Sequence, residues 1–293
     1  MNIDYLITVE TKDSLCTDTQ GFKNLLKADS SINITNKTII YKKDNVQVRA
    51  NYILILKSNK TSTDEIFFYF KLKFENQDDT KEVRELIYKL KNNIIPRINP
   101  NKMKIDIIWN DIETKYSIQS YPIINKVENL MRKLITLFMT INIGKEWTIR
   151  NLSNSINQKV AKNGNEINDI YQIDFIDINE VLFKKYIDLD VSSNLGEVIK
   201  KIDSDELVDK TQIINELSHL IPKTNWERYF ENKVDYSGVK LKKTWKELYD
   251  FRNKVAHNRG ISKSEFEKIK TTCEKIIKAI SNAIDNVFDI QLT

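Results

Sequence analysis

Residues Leu241 to Gly260 read LKKTWKELYDFRNKVAHNRG, and the spacing of their apolar side chains decides how the C-terminal part of the chain folds. On a helix of 3.6 residues per turn, Trp245, Leu248, Tyr249, Val255 and Ala256 fall on one stripe, with Arg252 near its centre. A guanidinium stands where a leucine is expected. Arginine keeps its charge in a protein, so it must meet an acid, a carbonyl or an anion, or reach over the core edge to solvent. His257, one of two histidines in the chain, follows five residues later. On an ideal helix it lies about 140° round from Arg252, on the side of Asn253. The two ends of the motif share a site only if the helix unwinds near Asn258-Arg259-Gly260, where Gly260 is the expected C′ residue, or if two copies meet across a dyad.

The flanks of this stretch are also helical in pattern. Upstream, Ser120-Tyr121-Pro122 has the form of a helix start, and Ile123, Ile124, Val127, Leu130, Met131, Leu134, Leu137, Phe138 and Ile141 then make a wide apolar face ending near Gly144. Glu128 and Arg132 in this run form an i,i+4 pair, which as a surface ion pair contributes a few tenths of a kcal/mol. Downstream, Ser264-Glu265-Phe266-Glu267 reads as a capping box opening a helix with Phe266, Ile269, Cys273, Ile276, Ile277, Ile280 and Ile284 inward. Between Lys223 and Lys278 there are fifteen Lys and Arg against eight Asp and Glu. A basic surround of this kind suits a phosphate-backbone substrate, because each neutralised phosphate releases condensed counterions.

Arg252-Asn253-Lys254-Val255-Ala256-His257 resembles the R-x(4-6)-H motif of the HEPN superfamily, including the polar residue, here Asn253, after the Arg. YPIINKVENLMRKLI, from Tyr121, looks like the first HEPN helix. The resemblance covers about residues 118 to 290, with a long middle section. It implies an all-α helical bundle and metal-independent cleavage of RNA at a composite site, where the motifs of two domains face each other across a homodimer interface. It further implies Arg252, His257, Asn253 and Glu128 as catalytic residues, Glu128 orienting Arg252 or His257, and Lys254 and Arg259 as RNA-binding residues. Neither a cofactor nor a metal is called for. A role in antiphage defence, abortive infection or toxin-antitoxin systems is implied too, with an antitoxin or a phage-derived trigger as a further partner. Two other classes stay open: a non-catalytic HEPN-like RNA-binding or assembly module, and a DNA-acting or protein-binding factor whose N-terminal domain carries the activity.

The N-terminal third has a different pattern. Residues 2 to 12, 36 to 43, 46 to 57 and 65 to 75 alternate β-branched and aromatic residues with polar ones, predicting antiparallel strands with Lys43-Asp44-Asn45 as a hairpin turn. Thr80 to Ile95 has helical spacing and stops at Pro96, and a strand follows over Lys104 to Trp109. This is an α+β domain over residues 1 to 112, ahead of the helical domain over 118 to 293. It contains no histidine, phosphate loop or Cys/His metal spacing, so by elimination it is a sensor, specificity or oligomerisation module. Lys81, Arg84, Lys89 and Lys91 on its helix are a solvated face or a phosphate-contacting surface.

The remaining features are less specific. Asn151 to Asn168 reads as a loop or weak helix. Ile170 to Leu189 interleaves acids with apolar residues without metal-ligand spacing, and helices are expected over Asn194 to Ile202 and Asp205 to Leu220, with His219 near the second end. Trp226, Tyr229 and Phe230 form either a satellite core or a base-stacking cluster. The chain has 41% hydrophobic and 30% charged residues and a formal charge of +5, as expected of a soluble protein with a substantial core. Two distant cysteines, no signal-peptide pattern and no apolar run of membrane-spanning length predict a cytoplasmic protein without membrane contact.

Overall fold

The computed structural model describes residues 1–59, 64–75, 79–162, 169–186 and 221–289, and the chain divides into two compact units, Met1–Tyr116 and Ser117–Thr293. The first is built on strands β1 (Asn2–Glu10), β2 (Ile32–Ile34), β3 (Thr38–Lys43), β4 (Val46–Ser58), β5 (Glu65–Lys73) and β6 (Met103–Asn110). All neighbours pair antiparallel, in the order β2-β3-β4-β5-β1-β6. The period-two pattern explains the core: Ile66, Phe68, Phe70 and Leu72 of β5 are buried on one face together with Ile3, Tyr5, Ile7 and Val9 of β1. Asp44 takes a left-handed φ of 54° in the turn that sets Lys43 opposite Val46.

Two helices cover this face. Helix α1 (Thr19–Lys27), which the sequence pattern did not reveal, inserts Phe22 against Phe68 and Phe70 at ring-centroid distances of 5.1 and 5.4 Å. Its nine residues carry only Phe22, Leu25 and Leu26 as apolar signal, too few to define a period. Helix α2 (Lys81–Lys89) starts at Thr80, whose side chain accepts from Val83 N, and passes through a π-turn and a 3₁₀ turn containing Pro96.

Helix α3 (Asp111–Ile143) begins nine residues before the expected Ser120 start. Asn110 supplies the cap, its side chain accepting from Ile112 N and Glu113 N at 3.1 and 3.2 Å. The helix continues through Pro122. This proline withholds the donor that the carbonyl of Ile118 would use, but both residues are exposed, so water can serve that carbonyl. Ser120 is fully buried, a helix-interior residue and not a cap. Gly144, at φ 105°, ends the helix where expected.

The helical unit continues with α4 (Trp147–Asn151), α5 (Asn154–Lys162), a 3₁₀ turn over Asp169–Gln172, α6 (Phe175–Phe183), a π-turn over Trp226–Phe230, α7 (Gly238–Ala256) and α8 (Lys263–Asp289). Much of the Asn-rich stretch read as a loop or weak helix is therefore ordered helix: Ile156 is buried, and Lys159 reaches Asp177 at 2.6 Å. The acids of α6 are used inside the fold. Asp177 closes a capping box with Asp174, and Glu180 accepts from Ser153, Ser155 and Lys184. Trp226 and Phe230 are core residues, packed with Phe183 and Phe138. Buried Asn225 donates to the carbonyls of Asn151 and Val181, tying the π-turn to α4 and α6. The helices expected over residues 194–202 and 205–220, with His219, lie outside the described residues.

Candidate active site

Helix α7 is fixed by its N-terminal half. Ser237 caps it, and Leu241, Trp245 and Leu248 are buried. The indole of Trp245 donates to the carbonyl of Phe175 at 2.8 Å while its ring stacks on Phe175 at 4.4 Å and 17°. A buried indole with its N–H satisfied gives this helix one rotational setting. The apolar stripe does not stay buried to its end: Val255 is half-buried and Ala256 exposed. Arg252 is accordingly half-buried, at the edge of the packed region and not within it. Nη1 donates to Asn253 Oδ1 over a long 3.4 Å, and no carboxylate among the described residues forms an ion pair with it.

The helix ends two residues earlier than Gly260 would require. His257 is the C-cap, at φ −98° and ψ 18°, and its N–H donates to Asn253 O at 3.0 Å. Asn258, at φ 52°, takes the left-handed C′ position expected of Gly260. Asn258 N bonds to Val255 O at 3.1 Å and Arg259 N to Lys254 O at 2.7 Å, the paired 5→2 and 6→1 bonds of a Schellman motif. Asparagine tolerates this conformation because its short polar side chain interacts locally. His257 and Arg259 are exposed.

Helix α8 holds this end in place. Its cap is Ser262, two residues before the expected Ser264: Glu265 N donates to Ser262 Oγ at 3.3 Å and Ser262 N to Glu265 Oε2 at 2.9 Å. Lys254 Nζ lies 2.5 Å from Glu265 Oε1. Burial pushes the Glu265 carboxyl up, but hydrogen bonds from Lys254 and Ser262 outweigh it and hold the group below its usual range. Lys254, expected to attract RNA, is thus committed to an ion pair that locks the end of α7 to the start of α8. Lys268 and Glu247, 2.7 Å apart, join the same two helices further back.

Glu128 stands apart from this group. Its carboxylate accepts from Arg132, which is buried and also donates to the carbonyls of Ile170 and Ile173, at 2.9 Å for the latter. What reads as a surface ion pair is a buried clamp between α3 and the turn before α6. Among the described residues the structure places Arg252 and Asn253 near the end of α7 and His257 at its C-cap, and it gives Glu128 to Arg132. Sequence reasoning missed the clamp of Lys254, Ser262 and Glu265, although Ser262-Lys263-Ser264-Glu265 carries the same S-x-x-E signal as the box that was read.

The assembled features are a long first helix, a motif helix ending in an accessible Arg/His turn, and a closing helix that fastens it, and they define a HEPN-type domain. The family model for Swt1-like HEPN domains matches residues 124–281, more than half of the chain, and the chain belongs to this family. No curated protein matches the chain. No described helix is long and apolar enough to cross a membrane.

Proposed function

We propose that this protein is a metal-independent endoribonuclease acting through Arg252, Asn253 and His257, with two HEPN domains contributing their motifs to one site across a homodimer interface. The observation that carries the reading is the end of α7: a half-buried Arg252 without a carboxylate partner among the described residues, beside an exposed His257 held by its own helix cap, in a chain of the Swt1-like HEPN family. An arginine with no acid on it is available to an anion. In the reaction, the imidazole of His257 takes the proton from a ribose 2′-OH, and the oxygen attacks the adjacent phosphorus. The bond to the 5′-oxygen breaks, and that oxygen receives a proton from the imidazolium of the facing domain. Arg252 offsets the charge developing on the non-bridging oxygens, and Asn253 positions the phosphate or the imidazole. Lys254 acts indirectly by fastening the motif to α8, while the exposed Arg259 attracts the RNA backbone.

The products are a 2′,3′-cyclic phosphate and a 5′-hydroxyl, and DNA, without the 2′-OH, is not cut. The test is incubation of the purified protein and of His257→Ala with cellular RNA in EDTA, followed by analysis of fragment ends. Cleavage by the parent alone, with cyclic-phosphate ends, is expected. Equal cleavage by both would remove His257 from the mechanism, and RNA bound by both without cutting would make the domain a binding module.

A further inference from the structure

The N-terminal unit carries a cleft of about 620 Å³ between β3 and the outer side of α2. Lys43, Lys81, Arg84 and Lys89 line it, against a single lining carboxylate, Glu85. The four cations are not equivalent. Arg84 lies 2.7 Å from Asp79 and Lys89 2.8 Å from Asp29, so each is held by an acid of its own. Lys43 and Lys81 share Glu85, at 2.8 and 3.9 Å, and the Tyr41 hydroxyl donates to the same carboxylate at 3.4 Å. One carboxylate between two ammonium groups leaves a positive surplus, and Lys81 is 77% exposed.

Lys81 is also misplaced for stability. It is the first residue of α2, where the helix dipole favours an acid and disfavours a cation. Tyr88, on the same helix, lines the cleft and is 63% exposed, and no aromatic or cation contact among the described residues uses its ring. An acidic peptide would satisfy the lysines but leave that ring idle. A nucleotide uses both, because its phosphate meets the ammonium groups and its base has a face for the ring.

We propose that this cleft binds a nucleotide of a single-stranded RNA, with Lys43 and Lys81 on the phosphate and Tyr88 stacked on the base, displacing Glu85 from its two lysines. The N-terminal unit is then an RNA-holding module with a site of its own.

The experiment uses the full chain and a fluorescent 2′-O-methyl oligonucleotide of about 12 nucleotides, within the usual range of single-strand sites. Without a free 2′-OH the probe cannot be cut, so binding is read whether or not the protein is a ribonuclease. Lys43→Glu with Lys81→Glu is expected to weaken binding about ten-fold or more and to reduce the slope of log K against log salt by about 0.7, the value for the one phosphate that the two lysines hold. Tyr88→Ala is expected to weaken it about five-fold or more, and Glu85→Gln to tighten it. Lys57→Glu with Lys73→Glu, exposed and outside the cleft, matches the charge change and should leave binding near the parent's. Thermal unfolding of each variant checks the fold, and Lys81→Gln is the milder form of the charge change. AMP that displaces the probe from the parent but not from Tyr88→Ala would assign the same chemistry to a free nucleotide. The proposal is overturned by parental affinity in Tyr88→Ala, or by equal losses in the cleft and control pairs.

Discussion

At the scale of single residues, the position of His257 depends on Asn258. The Schellman bonds from Asn258 N and Arg259 N close the helix only with residue 258 in the left-handed region. Glycine enters that region freely, asparagine at a modest cost, and a β-branched residue at a large one. Asn258→Gly is therefore expected to keep RNA cleavage and to match the parent in urea unfolding, or exceed it by up to about 1 kcal/mol. Asn258→Val is expected to lose about 1–2 kcal/mol and most of the cleavage, because it moves the histidine. If Asn258→Val cuts RNA like the parent, the cap does not position His257. The Arg/His spacing itself was legible in the sequence, as were the identities of Asn253 and Lys254. The register of the α8 cap was not, because Ser262 to Glu265 and Ser264 to Glu267 are both S-x-x-E. The choice between them is made by Lys254, which reaches Glu265 from another helix. The burial of Arg132, the partner of Glu128, was hidden for the same kind of reason: its guanidinium is turned inward by carbonyls at positions 170 and 173.

At the scale of elements, α7 begins in contact with the π-turn that precedes it. A Cβ on Gly238 would lie 2.4 Å from the indole of Trp226, and Trp226 is buried in the core of the helical unit. Neither the ring nor the start of α7 can yield without opening that core, so Gly238→Ala is expected to cost about 1–3 kcal/mol despite alanine's better helix propensity. Urea unfolding monitored by tryptophan fluorescence checks it, and a midpoint at or above the parent's would mean that the ring has room to move. This close approach could not be read from an isolated glycine after a turn. The strands of the first unit could be read, since alternation over nine residues, as in β5, has one interpretation. What escaped were elements with too few apolar residues to show a period, such as α1 and the three-residue β2. The polar stretch containing α5 could be read only as a loop or weak helix, because the acids that hold it, Asp177 and Glu180, are supplied by α6 to Lys159, Ser153 and Ser155.

At the scale of the whole molecule, both units keep carboxylates that are easier to ionise in the fold than in an open chain. In the first unit, Asp29 is pushed up by burial but held down more strongly by Lys89 and Ser31, and Glu85 is held down by Lys43. In the second, Glu180 is lowered from 4.5 to about 2 by hydrogen bonds from Lys184, Ser153 and Ser155. Hydrogen bonds from Thr224 lower Glu227, and those from Lys254 and Ser262 lower Glu265 against its burial. A group with a depressed folded-state pKa contributes stability that is complete above its unfolded value and is lost as pH falls through the folded one. Stability is therefore expected to be level near neutrality and to fall below about pH 4.5, the ordinary glutamate range. Glu180 gives the sharpest case, with its loss spread between 4.5 and about 2. Its side chain is 32% exposed, so solvent screening reduces its contribution to about 1–2 kcal/mol. Glu180→Gln, uncharged at every pH, should be less stable than the parent at pH 7 by about that amount, and the difference should shrink steadily as the pH is lowered towards 2. Urea midpoints measured across this range give the test: a gap between parent and variant that does not change with pH would mean that the three donors hold the side chain by shape and not by its charge.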